Sequence, residues 1–339
     1  MAVPLPTLHL RVNGDLTLLV GEHGQRFVVS RDTMCGACPV WERMLNGPYA
    51  EATNPEIAFP DDDPKVLHIL LSITHLTFKN LPPTLTLEEL TTLAFMCDKY
   101  DTVALVRPFL PTWTEPWLKA GSYLDRGNEE WVWISYVFGY EEEFCARVKQ
   151  LVQDMRISQG GTPCVSVRRG KTALEDLLPE GLSESLLKMR HDTVTEVLKM
   201  CYELIETLES ANACSHQDSA NYQICGDLML GSLIRTWSPL DHFKSSHQAT
   251  AYRHSLRALG RTIRAVPTRS RDPFAEPDIL GSKRGRGGNS KHNFDHSGCD
   301  AEIRAKLLQI ETCILNVESP VQVSHLCRIR EQAEKGRFA

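Results

Sequence analysis

SRDTMCGACPVWERML, residues 30–45, decides how the first third of the chain is read. Ser30 stands where an N-cap is wanted, because its hydroxyl can accept from an amide of the first helical turn. A helix runs from there to Cys38, where Pro39 sets a boundary. The residue before proline avoids the helical region, and Pro39 suits the first turn of a new helix with Val40, Trp41, Met44 and Leu45 inward. Cys35 and Cys38 make a C-x-x-C across this junction. A redox thiol of that kind sits at a helix N-terminus, where the dipole lowers its pKa. Cys35 falls about a turn into the first helix and Cys38 at its end, so the dipole argument is weak for one and fails for the other. A zinc site would want a second C-x-x-C or a His pair at matching distance, and none follows in the next roughly fifty residues. Both cysteines are therefore expected as small packed hydrophobes.

Working outward, Asp15 to Val20 and Gln25 to Val29 read as two strands around a turn bracketed by Gly21 and Gly24. EIAF, residues 56–59, is a further short strand. It leads into PDDDP, where Asp63 is a strong N-cap and Pro64 takes the first helical position. Val66, Leu67, Leu70, Leu71 and Thr74 then repeat at helical spacing. Thr86 and Glu89 form a capping-box pattern ahead of an inward stripe through Leu87, Leu90, Ala94, Cys97 and Tyr100. A helix through Val103, Val106 and Leu110 is interrupted by Pro108 and Pro111.

In that order, GDLTLLVG, FVVS, TMCGACPVWERML, EIAFPDDDP and LTLEELTTLAFMCDKYD resemble the BTB/POZ domain, in the variety abundant in fungi. The resemblance spans about residues 10–118. The chain departs from that family at Arg31, where His is frequent, at Met34 and Cys35, where an aliphatic pair is usual, and at Cys38, which replaces a Ser. THLTFKNLPPTL stands where many relatives have a tight Thr-Gly turn. The resemblance implies a self-associating interaction module rather than an enzyme. It implies a homodimer built on the N-terminal apolar segment, with Leu8 and Leu10 as contact residues beside Leu5 and Val12. The alternative is that this segment caps its own core. Some relatives hand substrates to a cullin-type ubiquitin ligase through a hydrophobic-x-Glu element after the second helix, and Tyr49 and Glu51 fit that pattern.

The fold class expected is α+β, a BTB/POZ-like α/β domain at 10–118 followed by a mostly α-helical region. Residues 119–264 read as helices, with one stripe through Phe144, Val148, Leu151, Val152 and Met155, and a longer one from Leu187 to Leu208. Gly and Pro near 158–163 mark a loop, and further helical stretches fall near 221–236 and 249–264. Residues 265–299, poor in aliphatics and rich in Pro, Gly and charge, read as a polar, partly disordered loop. Residues 300–335 close the chain with two helices, the first carrying Ile303, Leu307, Ile310 and Ile314.

Two polar constellations remain. Cys214, Cys225, His296 and Cys299 are a candidate tetrahedral zinc set that only folding could unite, with independent polar loops as the alternative. Arg261, Arg264, Arg269, Arg271, Lys283, Arg284 and Arg286 form a basic stretch. It raises the alternative function of a nuclear regulatory factor acting through that loop and BTB-mediated assembly. Phe274 is the single aromatic within it, too little to stack on successive bases, and the net charge of −6 gives the whole molecule no footprint for nucleic acid or an anionic membrane. The start of the chain lacks the features of a secretory signal, and the most apolar run, WVWISYVFGY, is too short to cross a bilayer. An intracellular protein, cytoplasmic or nuclear, is expected, with its eleven cysteines reduced. No nucleophile elbow, P-loop, dinucleotide fingerprint or H-E-x-x-H is present, so a non-catalytic scaffold is the leading expectation.

Overall fold

Alternation of burial builds the sheet. The computed structural model describes residues 5–119, 128–165, 174–210, 222–237, 252–266 and 301–336. Strands β1 (Leu8–His9), β2 (Leu16–Val20), β3 (Gln25–Val29) and β4 (Glu56–Phe59) lie in the order β1-β3-β2-β4. The β2–β3 hairpin is antiparallel, with Leu16 opposite Val29 and Leu18 opposite Phe27, while β1 and β4 join it in parallel. Leu16, Leu18, Val20, Phe27, Val29, Ile57 and Phe59 all turn to one buried face, as a period of two requires. The result is an α+β fold, mostly helical with a small mixed sheet.

The caps stand where the sequence puts them. Ser30 Oγ accepts from the Thr33 amide ahead of α1 (Arg31–Ala37), and α2 (Pro39–Asn46) follows at once. Asp63 Oδ1 accepts from the amides of Lys65 and Val66, both at 2.9 Å, to start α3 (Pro64–Thr74). Thr86 and Glu89 close a reciprocal capping box on α4 (Leu87–Tyr100). The proline-interrupted stretch becomes two helices, α5 (Val103–Val106) and α6 (Leu110–Lys119). Trp41, Met34, Leu67, Leu70 and Leu90 fill the space above the sheet, each such side chain stabilising by about 1.5–3 kcal/mol.

One local reading is corrected. Cys38 ends α1 but is also the N-cap of α2, its Sγ accepting from the Trp41 amide at 3.4 Å. The sulfur is thus at a helix head after all, yet it is buried, and desolvation pushes its thiol pKa up. Burial outweighs the dipole, and the packed-filler reading stands on that ground.

Beyond α6 come α7 (Asn128–Phe138) and α8 (Glu141–Asp154). The loop expected at 158–163 is the turn of a small antiparallel hairpin, β5 (Arg156–Ile157) and β6 (Pro163–Cys164). Helices α9 (Leu182–Ser210), α10 (Tyr222–Trp237), α11 (Leu256–Arg264), α12 (Ala301–Leu315) and α13 (Val323–Glu334) follow. Of the expected polar loop only Ala265 and Val266 are described; 267–299 lies outside the described residues. No helix among the described residues is long and apolar enough to cross a membrane.

The chain forms two compact units, one within 1–150, 167–183 and 320–339, the other within 151–166 and 184–319. The first unit therefore reaches beyond 118 and recruits α13 from the far end of the sequence. There His325 is buried edge-on to the rings of Tyr136 and Phe144, and its ring bonds the Glu180 carbonyl at 2.8 Å. Arg330 grips Glu141 with two bonds of 2.8 and 2.7 Å, and Arg107 donates to the carbonyls of Phe138, Gln332 and Lys335. Gly139, at φ +80°, lets α13 approach so closely that a Cβ would lie 2.5 Å from the Ala333 nitrogen. In the second unit Val194, Val197, Leu198, Cys201, Leu204 and Leu208 of α9 and Ile303, Leu307, Ile310 and Ile314 of α12 are buried, Leu186 rather than the expected Leu187 continues the α9 stripe inward, and α11 packs on α12.

Candidate protein-docking surface

Arg31, at the start of α1, organises the segment that follows α2. Its Nη1 donates to the Leu45 and Glu51 carbonyls at 3.1 and 2.9 Å, and its Nη2 to the Asn54 carbonyl at 2.6 Å. One guanidinium thereby pins the helix end, the 3-10 turn Ala50–Ala52 and the approach to β4. The family-typical His could not reach three carbonyls, so this departure has a structural purpose here.

Tyr49 precedes that turn and is 58% exposed. Gly47 makes room for it: a Cβ there would fall 3.0 Å from two Tyr49 ring carbons and 2.2 Å from the Arg43 carbonyl oxygen. The Glu51 backbone is held by Arg31, while its half-buried side chain forms no ion pair or hydrogen bond among the described residues. Tyr49 and Glu51 thus stand on one short, pinned turn as an exposed ring and an uncommitted carboxylate.

The N-terminal pair fares differently. Leu10 is 6% exposed and belongs to the unit's own core, and Leu8 packs half-buried against that core in β1. These placements fit the alternative in which the segment caps its own core. Leu5 and Val12 remain exposed.

A second apolar surface was not foreseen. At the end of α3 the chain closes a Schellman motif, with the Thr77 amide bonding Ser72 O at 2.8 Å and the Leu76 amide bonding Ile73 O at 3.1 Å. The left-handed position of that motif favours glycine, and Leu76 occupies it at φ +58°. A β-carbon there costs roughly 1–2 kcal/mol, and the side chain recovers little of it by packing, since it is 74% exposed. Beside it Phe78 is 49% exposed, its ring 5.8 Å from that of Phe109. With Thr33, Ala37, Ile73 and Leu105 these side chains line an open apolar groove. His75 ties the groove's floor to the sheet, its Nε2 accepting from the Ser30 amide at 3.0 Å and its Nδ1 donating to Leu71 O at 2.9 Å. Burial, followed by repulsion from Arg11, holds its pKa below the ordinary value and keeps it in this neutral tautomer.

Burial pushes the thiols of Cys35, Cys38, Cys145 and Cys313 up, and those of Cys97 and Cys201 up to about 12. Of the zinc candidates, Cys214, His296 and Cys299 lie outside the described residues, as does the side chain of Cys225. Among the described residues no group of His, Cys, Asp and Glu gathers as a metal site. Arg269, Arg271, Lys283, Arg284 and Arg286 of the basic stretch also lie outside the described residues. Of its two described members, Arg264 is paired with Glu311, and Arg261 Nε bonds Arg257 O at 3.4 Å. Compared with known proteins, the chain matches no family model, no curated protein and no solved structure.

Proposed function

We propose that the protein is a non-catalytic interaction scaffold whose first domain, residues 10–118, is of the BTB/POZ type and docks protein partners through its exposed apolar surface. The order of hairpin, paired helices, strand, acidic cap and two further helices supports the family part of this reading. Leu76 is the observation that carries the docking part. Folding alone favours glycine at that position, so an exposed, strained leucine there is best explained by a contact made outside the chain. In its sharper form the scaffold is a cullin adaptor. Tyr49 supplies an aromatic anchor, and Glu51 a charge free to pair, which is a normal hot-spot composition.

Proximity labelling in the native cell, run on wild type, Leu76→Gly and Tyr49→Ala/Glu51→Lys, tests both forms. Leu76→Gly should gain about 1 kcal/mol of stability while losing its principal labelled partners. The double variant should lose a cullin that wild type labels. A Leu76→Gly protein with an unchanged partner set removes the groove from the account, and a wild type that labels no cullin removes the adaptor form.

A further inference from the structure

Arg190 interrupts the apolar stripe of α9. Leu186 and Val194, one turn to either side, are buried, and Arg190 between them is only 4% exposed. Its Nη2 donates to the carbonyls of Tyr252 and His254 at 2.8 and 2.7 Å, and its guanidinium carbon lies 5.6 Å from the Tyr252 ring centre. Its Nε is buried without an acceptor, and no carboxylate pairs with it among the described residues. A desolvated cation answered only by carbonyl dipoles and a ring face is costly; burial lowers the Arg190 pKa for the same reason.

A second arginine belongs to the strand that bonds the same segment. The Ile157 amide of β5 bonds Arg253 O at 2.9 Å, which brings the adjacent Arg156 to Tyr252. Arg156 is half-buried, and its Nε too is buried without an acceptor. Burial raises the Tyr252 pKa, and the charges of Arg190 and Arg156 oppose that rise. The exposed His254 ring lies 5.9 Å from that of Tyr252, immediately before Ser255 and the N-terminal turn of α11. Nearby acids are already engaged, Asp154 by Arg257 at 2.6 Å and Glu311 by Arg264. Residues 252–266 contain Arg253, His254, Arg257, Arg261 and Arg264 and no Asp or Glu.

We propose that this corner of the second unit is a binding site for a phosphate group carried by a small molecule, seated on Arg156, His254 and the head of α11 above the buried Arg190. Arg156 and His254 donate to its oxygens, and the positive end of α11, whose Ala258 amide the Ser255 hydroxyl already caps at 3.2 Å, adds a favourable field. Arg190 acts from beneath through its field, which low-dielectric surroundings transmit strongly. The anion is the compensation that the described residues do not supply.

The test is hydrogen exchange of the full chain titrated with inorganic phosphate, ionic strength being held constant with sodium chloride. Residues 252–264 should gain several-fold protection that saturates with a Kd at or below about 1 mM. Arg156→Gln, a half-exposed position, should abolish the response while leaving exchange elsewhere unchanged. His254→Gln, fully at the surface, should weaken it and serves if Arg156→Gln disturbs the fold. Protection that fails to saturate, that chloride reproduces, or that survives in both variants would overturn the proposal.

Discussion

Asp62 in the first unit and Arg190 in the second are both charged and both nearly closed to solvent, at 5% and 4% exposure. Asp62 is answered from within: Lys99 reaches one oxygen at 2.6 Å and the Tyr100 hydroxyl donates to the other. Burial, then the bond to Asp62, raises the Tyr100 pKa, so the phenol stays a donor across the ordinary range. Arg190 has two carbonyls and a ring face but no opposite charge among the described residues. A buried ion with its counter-ion is part of the fold, whereas one without it marks a place where an outside group completes the electrostatics.

The largest expected effect breaks the closed case. Asp62→Ala should cost about 3 kcal/mol, because it strands the Tyr100 hydroxyl and releases Lys99. The midpoint of urea unfolding followed by tryptophan fluorescence reads it, since Trp41, Trp113, Trp117, Trp131 and Trp133 all lie in the first unit. Next, Arg107→Met should cost about 2 kcal/mol by orphaning carbonyls at the end of α13, seen as faster exchange across 323–334. The open case should respond in the opposite manner. In phosphate-free buffer Arg190→Met should shift stability by no more than about 1 kcal/mol, since relief of a buried cation with no counter-charge among the described residues offsets the loss of its bonds to the Tyr252 and His254 carbonyls. A loss as large as that of Asp62→Ala would erase the contrast between the two units.

The smallest effect is one of pH. His68 and His75 both have pKa values held below 6.5 in the folded first unit, chiefly by burial. The unfolded chain therefore binds more protons below 6.5. The stability these two neutral imidazoles contribute is present above that pH and declines as pH falls toward their folded values. Lowering pH from about 7.5 to about 5.5 should reduce the urea midpoint of the first unit, and His68→Gln/His75→Gln should flatten that slope. An unchanged slope in the double variant would assign the pH response to other groups.

Local chemistry was readable from the chain, and distant chemistry was not. Ser30, Asp63 and the Thr86–Glu89 pair announce helix starts because a cap needs only its own next three residues. Tyr49 and Glu51 could be singled out by pattern, but the Arg31 clamp that pins them joins residues up to 23 apart. Cys38 was placed at the end of one helix and not the start of the next, because Pro39 signals both. Leu76 left only one sign, the departure of THLTFKNLPPTL from a Thr-Gly turn, since leucine itself does not advertise a left-handed backbone. Arg190 did leave a trace, a charge at the inward spacing between Leu186 and Val194, visible once the stripe is extended one turn toward the start of α9. The recruitment of α13 rests on pairs such as Arg330 with Glu141, 189 positions apart, and no periodicity encodes those.

The close seat of α13 against Gly139 also sets an order of events at the ribosome. Most of the first unit emerges early, yet the helix that covers Tyr136 and Phe144 is among the last described segments to be translated. Until then a nascent chain carries an uncovered aromatic face, a natural client for a holding chaperone. Any fragment cut after residue 150 would keep that face permanently bare and should aggregate where the whole chain does not.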